Sequence, residues 1–160
     1  MIIVFFSTVL MIGRSMFEVG VLKPKSTRHV AAKNLCQLSL CTIVQFTIGY
    51  GLSSKAYGGI FGTEEFFMES SDDSRFPGFL ISLFSCWYCC SIVSLTLAER
   101  CFISVHNFLT LFIAGIIFPI ASSWVFGDGW LTKIGFIDAA GAGPIHLLGG
   151  TIGLLGTILL

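Results

Sequence analysis

Asp138-Ala-Ala-Gly-Ala-Gly-Pro144-Ile-His146-Leu-Leu-Gly-Gly-Thr-Ile-Gly-Leu-Leu-Gly156-Thr-Ile-Leu-Leu160 carries no charge after its first residue and a single histidine near its start. About 20 apolar residues cross the hydrocarbon core of a bilayer as a helix, so 139–160 predicts a transmembrane span. Three further stretches lack any acid, lysine or arginine over such a length: 34–54, 78–97 and 101–122. A fifth, 2–22, is interrupted only by Arg14 and Glu18, which stand four apart on one helix face and are expected to pair. The Met1 end has neither the basic start nor the small-residue cleavage site of a signal peptide, so this segment is expected to stay as a span. The fold predicted is an all-α, polytopic membrane helical bundle.

Composition agrees. Charged residues make up 11% and hydrophobic ones 54% of the 160 residues, against roughly 25% charged in a soluble domain; mean hydropathy is +0.89. Nine acidic and nine basic residues cancel, leaving no basic footprint for nucleic acid. The six cysteines lie in or beside apolar runs. Cys86-Trp-Tyr-Cys89-Cys90 has the outline of a metal motif, but no second Cys or His pair stands at ligand spacing. Helix packing is the expected role of these thiols, with no metal and no cofactor.

Loop charge orients the spans. Lys23, Lys25, Arg28 and Lys33 crowd the first loop without an acid, whereas Glu64, Glu65, Glu69, Asp72 and Asp73 dominate the second. The lysine and arginine bias places the first loop in the cytoplasm and the N-terminus outside. Trp124-Val-Phe-Gly-Asp-Gly-Trp130 then lies at the outer boundary, where aromatic side chains are common for interfacial reasons alone.

His146 is the candidate functional residue. An ionisable group inside a span costs several kcal/mol unless it faces a cavity or a partner, and neutral imidazole both donates and accepts a hydrogen bond. A relay for a small polar molecule and a histidine bonded to a neighbouring helix both fit. Pro144 suits a first turn, and Asp138 just before it is expected to cap free backbone N–H groups. Gly149, Gly150, Gly153 and Gly156 leave one helix face without bulk, for close packing or for a narrow lumen. A catalytic site would need a nucleophile and a base within reach; His106-Asn107 is the nearby polar pair, and a structural role is expected for it. No enzymatic activity is expected.

The run from Trp124 to Leu131, followed by Gly135-Phe-Ile-Asp138 and the quoted His146 segment, resembles the signature that opens the fifth span of ammonium transporters of the Amt/Rh/methylammonium permease family. Phe17-Glu18-Val-Gly20 with Lys33-Asn34, Gly49-Tyr50-Gly51-Leu52 and Ala98-Glu99-Arg100 are similar to earlier family segments in the same order. The resemblance is to the N-terminal half of an animal-type member.

That resemblance implies the first five-helix repeat of an eleven-span fold, in which two inverted repeats enclose a pore and subunits form trimers in the plasma membrane. Ammonium is held at an outer aromatic vestibule by ring quadrupoles, worth roughly 0.5–2 kcal/mol each. It sheds its proton and passes a dry constriction that penalises charge. By position, the resemblance implies that His146 is the first pore histidine, Asp138 the buried acid at the head of the fifth span and Phe126 the vestibule aromatic, usually Trp. Ser85 takes the position of the Phe gate; Phe84 beside it is turned about 100° around the helix. Asp128 replaces a usual Gly, Gln45-Phe46 a common aromatic pair, and Arg14 is an added charge. The second pore histidine belongs to the other repeat, so a truncated product or partial gene is expected. The partners implied are ammonium or ammonia, the bilayer, and a homotrimer or full-length subunits; the alternative function is a non-conducting interaction partner of those subunits.

Overall fold

A computed structural model of the chain describes residues 2–23, 26–63, 66–68 and 75–160. Lys25 and the acidic residues Glu64, Glu65, Glu69, Asp72 and Asp73 lie outside the described residues. Five long apolar helices make up a helical membrane bundle. They are α1 (Ile2–Val21), α2 (Thr27–Ser53), α3 (Phe76–Thr96), α4 (Ile103–Phe112 continuing through Ile113–Ile117 and Phe118–Phe126) and α5 (Ala142–Leu159). A helix satisfies its own backbone, which is why lipid selects it.

Half of the apolar stretch of α3 and of α4 is buried, against 11% of α1. The first of these helices therefore leans on the outside of the group, and α3 and α4 form its middle. Cys41, Cys86, Val93, Ile113, Ala114 and Phe118 sit together in the core. This grouping is a difference from the sequence reading, because Cys41 of α2 joins Cys86 and Cys90 of α3. The third cysteine arrives from another helix, which ligand spacing along one segment does not reveal.

Helix α2 begins seven positions before the expected Asn34, and α4 runs past Ser122 to Phe126. The charge at Lys33 does not end the span, for an electrostatic reason. Lys33 is not a loop charge; it is buried and makes an ion pair with the fully buried Glu18 of α1, while Asn34 Nδ2 donates to the other Glu18 oxygen at 2.8 Å. Lys33 Nζ also reaches the Ser94 carbonyl of α3 at 3.4 Å. The expected Arg14–Glu18 pair gives way to this one, because α2 brings an ammonium and an amide to the same carboxylate. Arg14 Nη2 is buried without a hydrogen-bond partner.

Both ends of the bundle are tied. At one end the Lys23 backbone N–H donates to Glu99 Oε1 at 3.1 Å, and Arg100 Nη1 donates to the Thr157 carbonyl at 3.0 Å. The first loop, the α3–α4 loop and the end of α5 therefore share a side. At the other end a short hairpin, β1 (Ala56–Tyr57) and β2 (Phe61–Gly62), is pinned to α4. Ser123 Oγ and Trp124 Nε1 both donate to the Ile60 carbonyl, at 2.9 and 2.8 Å.

Wide turns at Gln45–Gly49 and Ile113–Ile117 interrupt α2 and α4, and the second has an assignable cause. The second precedes Pro119, whose ring would strike the carbonyl four residues back in a regular helix; loosening the turn there removes the clash.

Candidate functional site

The head of α5 is assembled by one side chain. Asp138 Oδ1 accepts from the backbone N–H groups of Ala140, Gly141 and Ala142 at 3.1, 2.7 and 2.9 Å, and Oδ2 accepts from Gly143 at 2.7 Å. Burial pushes this carboxyl up, but the four N–H donors outweigh it and hold Asp138 below the ordinary carboxylate range. The loop can close this tightly because Gly141 takes a left-handed φ of 79°, and a Cβ there would lie 2.6 Å from Ile145 Cδ1. Pro144 follows within the first, wide turn, Ala142–Leu147, where its missing N–H has no intrahelical acceptor to lose.

That turn carries His146 out of the packed core. Its imidazole is exposed on a groove of about 300 Å³ between α1, α3 and α5. Phe6, Leu10, Met11, Phe84 and Ile145 form apolar walls, with Ser7, Ser85 and Tyr88 as the other polar groups. Tyr88 meets His146 edge to face, ring centroids 5.3 Å apart at 78°. Among the described residues no acid or lysine lines the groove.

A second cavity, of about 540 Å³, opens between α2, α3, α4 and the loop before α5. Phe126 and Asp128 stand at its rim, and its wall is rich in hydroxyls: Ser53, Ser82, Ser85, Ser122 and Tyr50. Phe126 is 55% exposed. Asp128 has a left-handed φ of 57°, a conformation that glycine adopts freely and aspartate tolerates. Gln45 is fully buried and donates to Ser82 Oγ at 3.1 Å. Ser85 lines both cavities. Phe84 borders the His146 groove but not the larger cavity, and it packs on Trp87 at 5.2 Å.

The fold thus gathers His146 and Ser85 on one groove and Ser85 and Phe126 on one cavity, with Asp138 behind them as a cap. Tyr88 is absent from the sequence reading, although it lies three residues from Ser85 and so shares its helix face. His106 lines neither cavity; its Nε2 and Gln37 Oε1 are 3.1 Å apart in the buried interior. The glycines divide by face. A Cβ on Gly149, Gly153 or Gly156 would lie 3.1 Å from the Cys89 carbonyl, 2.7 Å from Thr96 Oγ1 or 2.9 Å from Leu97 Cδ2, whereas one on Gly150 meets nothing. Close packing of α5 on α3 is therefore what three of the four provide.

The Ammonium Transporter Family profile matches residues 1–160. The chain belongs to the ammonium transporter family. Among curated members, ammonium transporter Amt2 of Archaeoglobus fulgidus is 32% identical over 92% of this chain and 34% of its own length. Ammonium transporter 3 of Dictyostelium discoideum is 29% identical over 92% of this chain and 35% of its own. Of solved structures, a protein described as Sensor Amt Protein superposes with a TM-score of 0.90 at 27% identity, over 96% of this chain and 41% of that one. The chain spans about a third of the length of these curated ammonium transporter family members. Its five helices are a helical membrane bundle of the family's kind.

Proposed function

We propose that this chain supplies the first five-helix repeat of an ammonium-conducting pore, with the His146 groove as one wall of the path. The observation that carries the reading is the imidazole exposed on a largely apolar groove that holds no acid or lysine among the described residues. Such a groove, closed by a second repeat, gives a charged species no counter-charge and few polar groups to replace its water. Ammonium can leave its proton at the mouth and cross as ammonia; potassium and sodium have no neutral form to adopt. Imidazole then offers the neutral molecule a donor and an acceptor midway.

Phe126 is the vestibule aromatic in this reading. Its ring offers a cation–π face to ammonium, while Asp128 and Lys55 on the same cavity carry opposite charges. Ser85, at the gate position, joins vestibule to groove with a hydroxyl rather than a ring. The facing wall and second histidine come from the other repeat, and subunits assemble as trimers in the plasma membrane with the Asp138 end and the N-terminus outside. The excess of positive charge on the side of Lys23, Arg28 and Arg100 supports that orientation.

Methylammonium uptake by transporter-deficient yeast expressing the full-length protein tests the reading. His146→Ala should change uptake or its selectivity over potassium, and unchanged values for both would remove His146 from the path. A second reading, a non-conducting partner of complete subunits, rests on Ser85 standing where the family resemblance implies a Phe gate. It expects co-purification with a full-length family member and no uptake by this chain alone.

A further inference from the structure

We propose that Cys41, Cys86 and Cys90 form a buried binding site for a soft monovalent metal ion, copper(I), at the centre of the bundle. Cys86 and Cys90 stand four apart on one face of α3, and Cys41 reaches them from α2. Cys41 Sγ lies 3.5 Å from Cys86 Sγ and 3.6 Å from Cys90 Sγ, and the three sulfurs lie within 4.8 Å of one another. An ion bonded to three thiolates at about 2.3 Å needs sulfurs about 4.0 Å apart, so adjustments of a few tenths of an ångström complete a trigonal site. The thiols are 0%, 0% and 2% exposed.

The surroundings select the ion. Val93, Ile113, Ala114 and Phe118 belong to the same buried cluster as the sulfurs, and among the described residues no His, Asp or Glu joins the three thiols as a ligand group. Zinc takes a fourth ligand and a hydrogen-bonded outer shell, and calcium and magnesium take oxygens. Copper(I) is content with a small number of soft sulfurs. Each thiol that binds gives its proton to solvent, and the metal stays in its +1 state throughout. Three thiolates around one such ion leave a net negative charge, and the counter-charge is present. Arg14 of α1, the charge inside the first span, interacts electrostatically with Glu18 first and with Tyr88 and Cys90 beyond it. Its Nη2 is buried with no hydrogen-bond partner. The site thus accounts for two features that conduction leaves unused, the thiol trio and a buried guanidinium nitrogen without a hydrogen bond.

The test uses the full-length protein expressed in copper-supplemented cells and purified in detergent without oxygen, with metal content measured by mass spectrometry. The expected result is one copper per chain, ultraviolet thiolate-to-copper absorption, and X-ray absorption showing sulfur neighbours at about 2.3 Å. Cys41→Ser and Cys86→Ala should each lower the copper content at least tenfold, Arg14→Gln severalfold, and Cys36→Ser, at an exposed thiol, not at all. Thermal melting and elution volume establish that each variant is folded; where one is not, the other two site variants carry the comparison. Copper well below one per chain overturns the site, as does copper retained in Cys41→Ser or a Cys41–Cys86 disulfide in the isolated protein.

Discussion

Tyr88 and His146 face each other edge to face across the α3–α5 boundary, with ring centroids 5.3 Å apart. An aromatic pair of this geometry is worth about 0.5–1.5 kcal/mol beyond the area it buries, enough to set which way the imidazole points into the groove. Tyr88→Ala should therefore reduce methylammonium uptake by the full-length protein about 2- to 10-fold, the same energy expressed as a population. Tyr88→Phe keeps the ring and should stay near the parent. Equal losses in both variants would move the role from the ring to the phenol hydroxyl.

The cap at Asp138 predicts an acid limb. Its carboxyl is held low by four backbone donors, so the folded value lies under the unfolded one. Its stabilisation is complete above the ordinary carboxylate value, near 4, and is lost as pH falls through the depressed folded value. Asp138→Asn keeps one acceptor oxygen and loses the charge, which should cost about 2 kcal/mol at neutral pH. Melting curves in detergent from pH 7 down to pH 3 read this out. The parent should lose more melting temperature than the variant across that range, and parallel curves would mean the cap carries no weight.

These two relationships were not equally visible in the chain. Asp138 ahead of Pro144 reads as a cap because both residues act within one turn of their own position. Tyr88 is one aromatic in an apolar run, and nothing local separates it from lipid-facing neighbours; its role exists only once α5 is laid against α3. Lys33 shows the opposite failure. Counting charge-free stretches ends a span at any ion, but a lysine whose partner is a buried Glu18 on the next helix behaves as part of the span. Cys41 is invisible for the same reason, since its partners are more than forty residues away. Hydropathy sees helices well, whereas pairings between helices need the fold.

The Lys33–Glu18 pair is a sharp case of that dependence. Removing one partner of a buried ion pair leaves an uncompensated charge and costs about 3–5 kcal/mol. Lys33→Met should therefore collapse expression and detergent stability, because Glu18 is fully buried. The double change Glu18→Gln with Lys33→Met removes both charges and should recover most of the loss. A single variant as stable as the parent would show that Glu18 finds another counter-charge, and Arg14, four residues before it, is the one to remove next.

The glycines of α5 test how closely the last helix must lie on α3 to present His146. A Cβ at position 153 would come within 2.7 Å of Thr96 Oγ1 on α3. That hydroxyl is held by its own bond to the Val93 carbonyl at 2.8 Å, so it cannot turn away without losing a partner. Gly153→Ala should accordingly push the helices apart and cost about 1–3 kcal/mol. At position 150 an added Cβ meets nothing, and there the better helix propensity of alanine, up to about 1 kcal/mol, should leave the protein as stable or more so. Thermal melting of the two variants side by side decides the matter. If Gly153→Ala melts with the parent, α5 is not seated on α3 by its glycines, and the position of His146 must be held by the Asp138 cap alone.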